Sequence, residues 1–135
     1  MKTELYRDRF GILTQDADRG ILELQWLEGS ADMSEDDFKA WLERYAAAGE
    51  QHRAPHMLID VRQFKHRPGA QIGQWRDEHI IPRYNSAGVK KFAFLLPAGA
   101  PAAAAPAPEG PAAFPTGYFD SRERIEAWFA GEAAS

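Results

Sequence analysis

The residues best suited to chemistry lie between positions 60 and 79. Asp60 stands inside a short apolar run, Met57-Leu58-Ile59-Asp60-Val61. A carboxylate among apolar neighbours is poorly solvated, which raises its pKa and suits it to act as a general base or a ligand anchor. Pairing with Arg62, or acceptance of backbone amides, would satisfy it without any chemistry. Arg62, Lys65, His66 and Arg67 follow closely. Four potentially cationic side chains between a strand and a helix start suit an anionic ligand or an acidic partner surface. Ligands gather at the carboxyl ends of strands, and helix N-termini attract anions. The plain alternative is a solvated charged loop, since exposed charges contribute little energy alone. Trp75 and His79, with Ile72, fall on one helical face. They read as packing residues, His79 partly buried, with a small aromatic-lined pocket as the functional alternative.

Other chemistries are poorly represented. His52 and His56 are four apart, but Pro55 intervenes and works against a shared helical face. There is no HExxH and no carboxylate pair at ligand spacing, so no metal site is expected. The chain has no cysteine, which removes disulfides, thiolate nucleophiles and cysteine-held zinc or iron–sulfur centres. No phosphate-binding loop, dinucleotide fingerprint or nucleophile elbow is present, and no cofactor is expected. An enzyme built on Asp60, His66 or His79 is therefore the weakest of the readings. A net charge of −4 argues against nucleic acid as a partner. The charged opening, Met1-Lys2-Thr3-Glu4-Leu5-Tyr6-Arg7-Asp8-Arg9, does not resemble a signal peptide. No apolar run approaches the roughly 20 residues of a membrane helix, so a cytoplasmic protein without an integral membrane segment is expected.

The elements that must position these residues follow from periodicity. The length of 135 residues fits a single domain spanning 1–135. Residues 6–15 and 20–27 read as an antiparallel hairpin, with Leu22, Leu24 and Trp26 alternating with polar residues. Ser34 and three following acids predict a helix over 35–48, closed by Gly49. Residues 57–61 and 92–96 read as strands covered on both faces. Residues 69–81 form a second helix that Pro82 ends or kinks. Residues 98–115 are rich in Ala, Pro and Gly. So long a loop suggests a mobile lid, an oligomer contact or a spacer, or simply an unconstrained loop. Tyr118-Phe119 then forms a short strand. Asp120 and Glu123 cap a last helix carrying Ile125, Trp128 and Phe129, which Gly131 closes. The order predicts an α/β fold, a mixed sheet of four or five strands with three or four helices.

This order and spacing resemble the STAS/SEC14-like family of small bacterial domains, in the branch similar to anti-anti-sigma factors. The resemblance rests on the opening hairpin and on a first helix with Ser34, Phe38 and Leu42. It continues through Leu58-Ile59-Asp60-Val61-Arg62, the Trp75 helix with its later Pro82, and Ala87-Gly88-Val89-Lys90-Lys91. It closes on Tyr118-Phe119-Asp120 with Trp128, and so covers nearly the whole chain. The family's phosphorylatable serine, in the loop after the central strand, has no counterpart in Gln63-Phe64-Lys65-His66-Arg67-Pro68-Gly69-Ala70. The resemblance therefore implies a non-enzymatic interaction or regulatory module without that switch. The alternative is a domain that binds a small anionic or lipid-like ligand in an apolar pocket under the Ala/Pro loop. Self-association through a strand edge or the late aromatics stays open. The candidate binding residues are Asp60, Arg62, Lys65, His66, Arg67, Trp75 and His79.

Overall fold

The computed structural model describes residues 2–100, 103–104 and 110–131. It is an α/β fold with one mixed sheet. The strands are β1 (Lys2–Arg7), β2 (Gly11–Asp16), β3 (Ile21–Trp26), β4 (His56–Asp60), β5 (Lys91–Leu95), β6 (Ala103–Ala104) and β7 (Thr116–Phe119). Their order across the sheet is β1-β2-β3-β4-β5-β7-β6. The first three strands form an antiparallel meander, β3 to β7 run parallel, and β6 returns antiparallel. The sheet thus exceeds the four or five strands expected, because the predicted strand 6–15 is broken in two and the Ala/Pro-rich stretch contributes β6. Asp8 makes the break: its carboxylate accepts the amides of Phe10 (2.8 Å) and Gly11 (3.2 Å), and its own amide reaches the Gly11 carbonyl. A side chain, with no Gly or Pro between the strands, supplies this turn.

Helix α1 (Glu35–His52) opens on a complete capping box between Ser34 and Asp37. It passes through Gly49 and ends only at Arg53, which takes a left-handed φ of 49°. Gly49 serves close packing instead: a β-carbon there would lie 3.2 Å from the Met57 Cε. The predicted helix 69–81 is two helices, α2 (Ile72–His79) and α3 (Ile81–Ala87). Proline at position 82 is tolerated in the first turn of α3, so it begins a helix there instead of merely stopping one. Helix α4 (Arg122–Phe129) is capped by Ser121, and Asp120 instead accepts the Gly99 amide.

The two faces of the sheet are covered unequally. Leu22, Leu24, Trp26, Met57, Ile59 and Phe92 face α1 and α3 in the larger core. Ile21, Leu58, Ala93, Leu95 and Phe119 face Ile125 and Phe129 of α4. Tyr45, on α1, is fully buried, and its hydroxyl lies 2.9 Å from the carbonyl oxygens of both Leu22 and Leu58. Desolvation pushes its pKa well above that of an ordinary phenol, so it remains a donor at the seam of β3 and β4.

The Ala/Pro-rich stretch is not uniformly a loose loop. Residues 101–102 and 105–109 lie outside the described residues. At its end, Asn85 donates to the Pro111 carbonyl (3.0 Å) and accepts the Ala113 amide (2.8 Å). Phe114 is 1% exposed and stacks on Phe92. This end is core structure.

Candidate functional site

Asp60 closes β4 with its side chain on the α4 face, beside Glu23 of β3. Both are buried. Asp60 accepts three hydrogen bonds from Arg62: the backbone amide at 3.1 Å, Nε at 3.0 Å and Nη2 at 2.8 Å. Glu23 receives the fork of Arg122, at 2.5 and 2.8 Å, and Arg122 also lies 3.8 Å from Asp60. Hydrogen bonding to Asp60 holds the Arg62 pKa above its ordinary value, and bonding to Glu23 does the same for Arg122. Two buried carboxylates facing two guanidinium forks make a closed ionic network. Their lone pairs are directed at donors, which suits structure better than proton abstraction.

The segment after β4 is clamped. Phe64 packs between Trp26 (5.3 Å) and Phe38 (5.7 Å). Ser30, fully buried in the 3-10 turn Glu28–Asp32, accepts the Lys65 amide through Oγ at 2.8 Å. Glu35, in the first turn of α1, accepts the Gly69 amide at 2.9 Å and lies 3.2 Å from the His66 Nε2. The Gly69 amide, then His66, lowers the Glu35 pKa. The His66 side chain is only 8% exposed and packs against Phe38.

The four cations therefore divide. Arg62 belongs to Asp60 and His66 to Glu35. Lys65 and Arg67 are exposed, and neither has an ion-pair partner among the described residues. The start of α1 is already occupied by its own acids, Glu35, Asp36 and Asp37.

Beside the clamped segment, α1 and α2 enclose a groove of about 340 Å³ lined by Glu35, Lys39, Gln71, Ile72, Trp75 and Glu78. Trp75 is half-buried, with the Lys39 ammonium 5.3 Å from its ring centre. His79 lies 5.8 Å from Trp75, but its side chain is 60% exposed, so it is not the partly buried packing residue expected. Helix α2 has no buried residue, and its last turn leaves His79 in solvent. Glu35 joins the loop anchor to this groove, whereas Asp60 and Arg62 lie apart from it.

Sequence reasoning found the basic segment and missed its anchors. Ser30 carries no local signal. Glu35 was visible only as a helix-start acid, and Glu23 only as the polar half of an alternating strand. Among the described residues no group of three or more His, Asp or Glu is placed to hold a metal. No described helix is long and apolar enough to cross a membrane. No family model, curated protein or solved structure matches the chain.

Proposed function

We propose that the chain is a non-enzymatic interaction module of STAS-like build, presenting residues 61–69 as a rigid basic edge to an acidic protein surface. The observation that carries this reading is the division of the cations: the backbone is anchored by Ser30 and Glu35, while the Lys65 and Arg67 side chains are exposed without an ion-pair partner among the described residues. A pre-formed display loses little entropy on binding. The adjoining groove is lined mainly by polar side chains, with Trp75 and Ile72 as its apolar part. Catalysis by Asp60 or His66 has less support, because Asp60 is saturated by Arg62 and His66 is packed against Glu35 and Phe38.

The test is capture from native lysate by wild type and by a Lys65→Glu, Arg67→Glu variant. These positions are chosen because Arg62→Glu would set a second carboxylate against buried Asp60 and confound binding with folding. One protein bound near stoichiometrically by wild type, released by high salt and lost from the variant, supports the reading. Equal capture by both chains, or no captured protein, removes it.

A cavity on the other side of α2 favours the second reading, a small-ligand-binding domain.

A further inference from the structure

Helix α2 separates two surfaces. Its Trp75 side borders the groove with α1. On its other side a cavity of about 240 Å³ opens over β5 and β7. Phe94 and Tyr118, paired in register across these strands, stack at 5.3 Å with their rings 8° from parallel. Both are half-buried. Arg76 also lines the cavity; its guanidinium carbon lies 5.8 Å from the Phe92 ring centre. Arg76 is half-buried and has no ion-pair partner among the described residues. Of the other half-buried arginines, Arg83 and Arg122 hold carboxylates, whereas Arg44 lies over the rings of Tyr6 and Trp41. Phe114 closes the wall and is fixed by its stack on Phe92 and by the Asn85 clamp on its chain.

We infer that this cavity binds a small planar aromatic carboxylate, with the ring against Phe94 and Tyr118 and the acid group on Arg76. The planar guanidinium fork takes a carboxylate through two parallel hydrogen bonds, and its attraction grows as water is excluded. The stacked pair offers an aromatic face and edge for a ring. The volume falls below the range of drug-sized sites, which limits the ligand to about one ring and its acid. Asp77, exposed in the same wall, opposes negative charge, so a single acid group is taken only where it reaches the Arg76 fork and a dianion is disfavoured. This site is independent of Lys65 and Arg67.

The test is an NMR titration of the full chain with benzoate, beside benzamide as the uncharged ring and acetate as the ringless acid. Benzoate is expected to give saturable shifts at the amides of Phe94, Thr116 and Tyr118. Benzamide and acetate are each expected to bind at least about tenfold more weakly, as is benzoate to Arg76→Gln. The Lys65→Glu, Arg67→Glu variant is expected to bind benzoate as wild type does. Absence of a saturable benzoate shift up to about 10 mM overturns the inference. So does benzamide binding as tightly as benzoate, or Arg76→Gln retaining full affinity. If Arg76→Gln fails to fold, the benzoate–benzamide comparison on wild type decides alone.

Discussion

Replacing Arg122 by methionine tests whether the ionic network on the α4 face holds the fold together. The substitution keeps the aliphatic stem over the sheet and removes both hydrogen bonds to Glu23, at 2.5 and 2.8 Å. Glu23 is 6% exposed, and Asp60, 3.8 Å from Arg122, is 2% exposed. Breaking a buried pair from one side costs about 3–5 kcal/mol, because the remaining charge stays desolvated. The Arg122 side chain is 33% exposed, so water can replace part of the lost interaction. Asp60 also keeps Arg62. The expected loss is therefore at the low end, about 3 kcal/mol. For a chain of this length that lowers Tm by roughly 10 °C. A Glu23→Met, Arg122→Met double variant removes both charges and is expected to lie within about 1 kcal/mol of wild type, since apolar replacement of a whole pair is often neutral. Tryptophan fluorescence during thermal and urea unfolding reads both variants. A single variant that loses less than about 3 °C refutes the reasoning. So does a double variant as unstable as the single one.

Two further outcomes follow from other sites. His56 stacks on Phe129 at 4.6 Å, and burial, then Lys91 and Lys90, holds its pKa below the ordinary 6.5. The unfolded chain therefore binds this proton more readily, so the stability His56 contributes is present above about pH 6.5 and is lost as pH falls through its depressed folded-state value. His56→Phe keeps the stack and is expected to flatten Tm between about pH 7.5 and pH 5; a wild-type decline no steeper than the variant's sinks the assignment. At Gly29 an added β-carbon would collide with the Arg9 carbonyl oxygen, so Gly29→Ala must displace backbone. It is expected to cost more than about 2 kcal/mol in urea unfolding, whereas Gly73→Ala, with nothing within 4 Å, is expected to be neutral or stabilising by up to about 1 kcal/mol. Equal effects at the two glycines would show that the close approach does not matter.

The sequence was most legible where one face decides everything. Leu22, Leu24 and Trp26 alternate, and all three lie in the larger core. The same alternation assigns Glu23 to solvent, yet it is buried, because Arg122, 99 positions along the chain, covers it. No local period marks a partner at that distance. The basic segment shows the same limit. Its charges are plain in the sequence, but which of them are spent depends on Ser30, 35 positions before Lys65, and on Glu35, 31 positions before His66. Break signals also misled in both directions. Gly49 looked like a helix stop and is a packing contact with Met57, while Asp8 made a turn that no Gly or Pro between the strands announced. Phe114 was lost inside an Ala/Pro composition that averages away a large side chain pinned in the core.

The places left for function follow from the connections. The crossovers from β3 through α1 to β4, and from β4 through α2 and α3 to β5, step in one direction across the sheet and pack on one face. Right-handed crossovers taken in one direction must do so. No pair among β3, β4 and β5 has helices leaving to opposite faces, so the crevice that serves doubly wound sheets does not form there. Binding surface must arise where helices run out. On the crossover face they stop at α2 and α3, short of β7, and the aromatic cavity with Arg76 lies over that margin. At the carboxyl end of β4 the chain has no helix until Ile72, and the clamped segment with Lys65 and Arg67 fills the gap. On the opposite face α4 alone covers the sheet. There Glu23, Asp60 and two arginine forks form a polar closure with almost no cavity beneath it, while at the other end of β3 and β4 a cavity of about 530 Å³ opens beside α4, lined by Arg19, His56, Glu126 and Phe129. The two surfaces argued for above both adjoin α2, a short helix with no buried residue, and the ionic network belongs to the scaffold that holds β4 in register behind them.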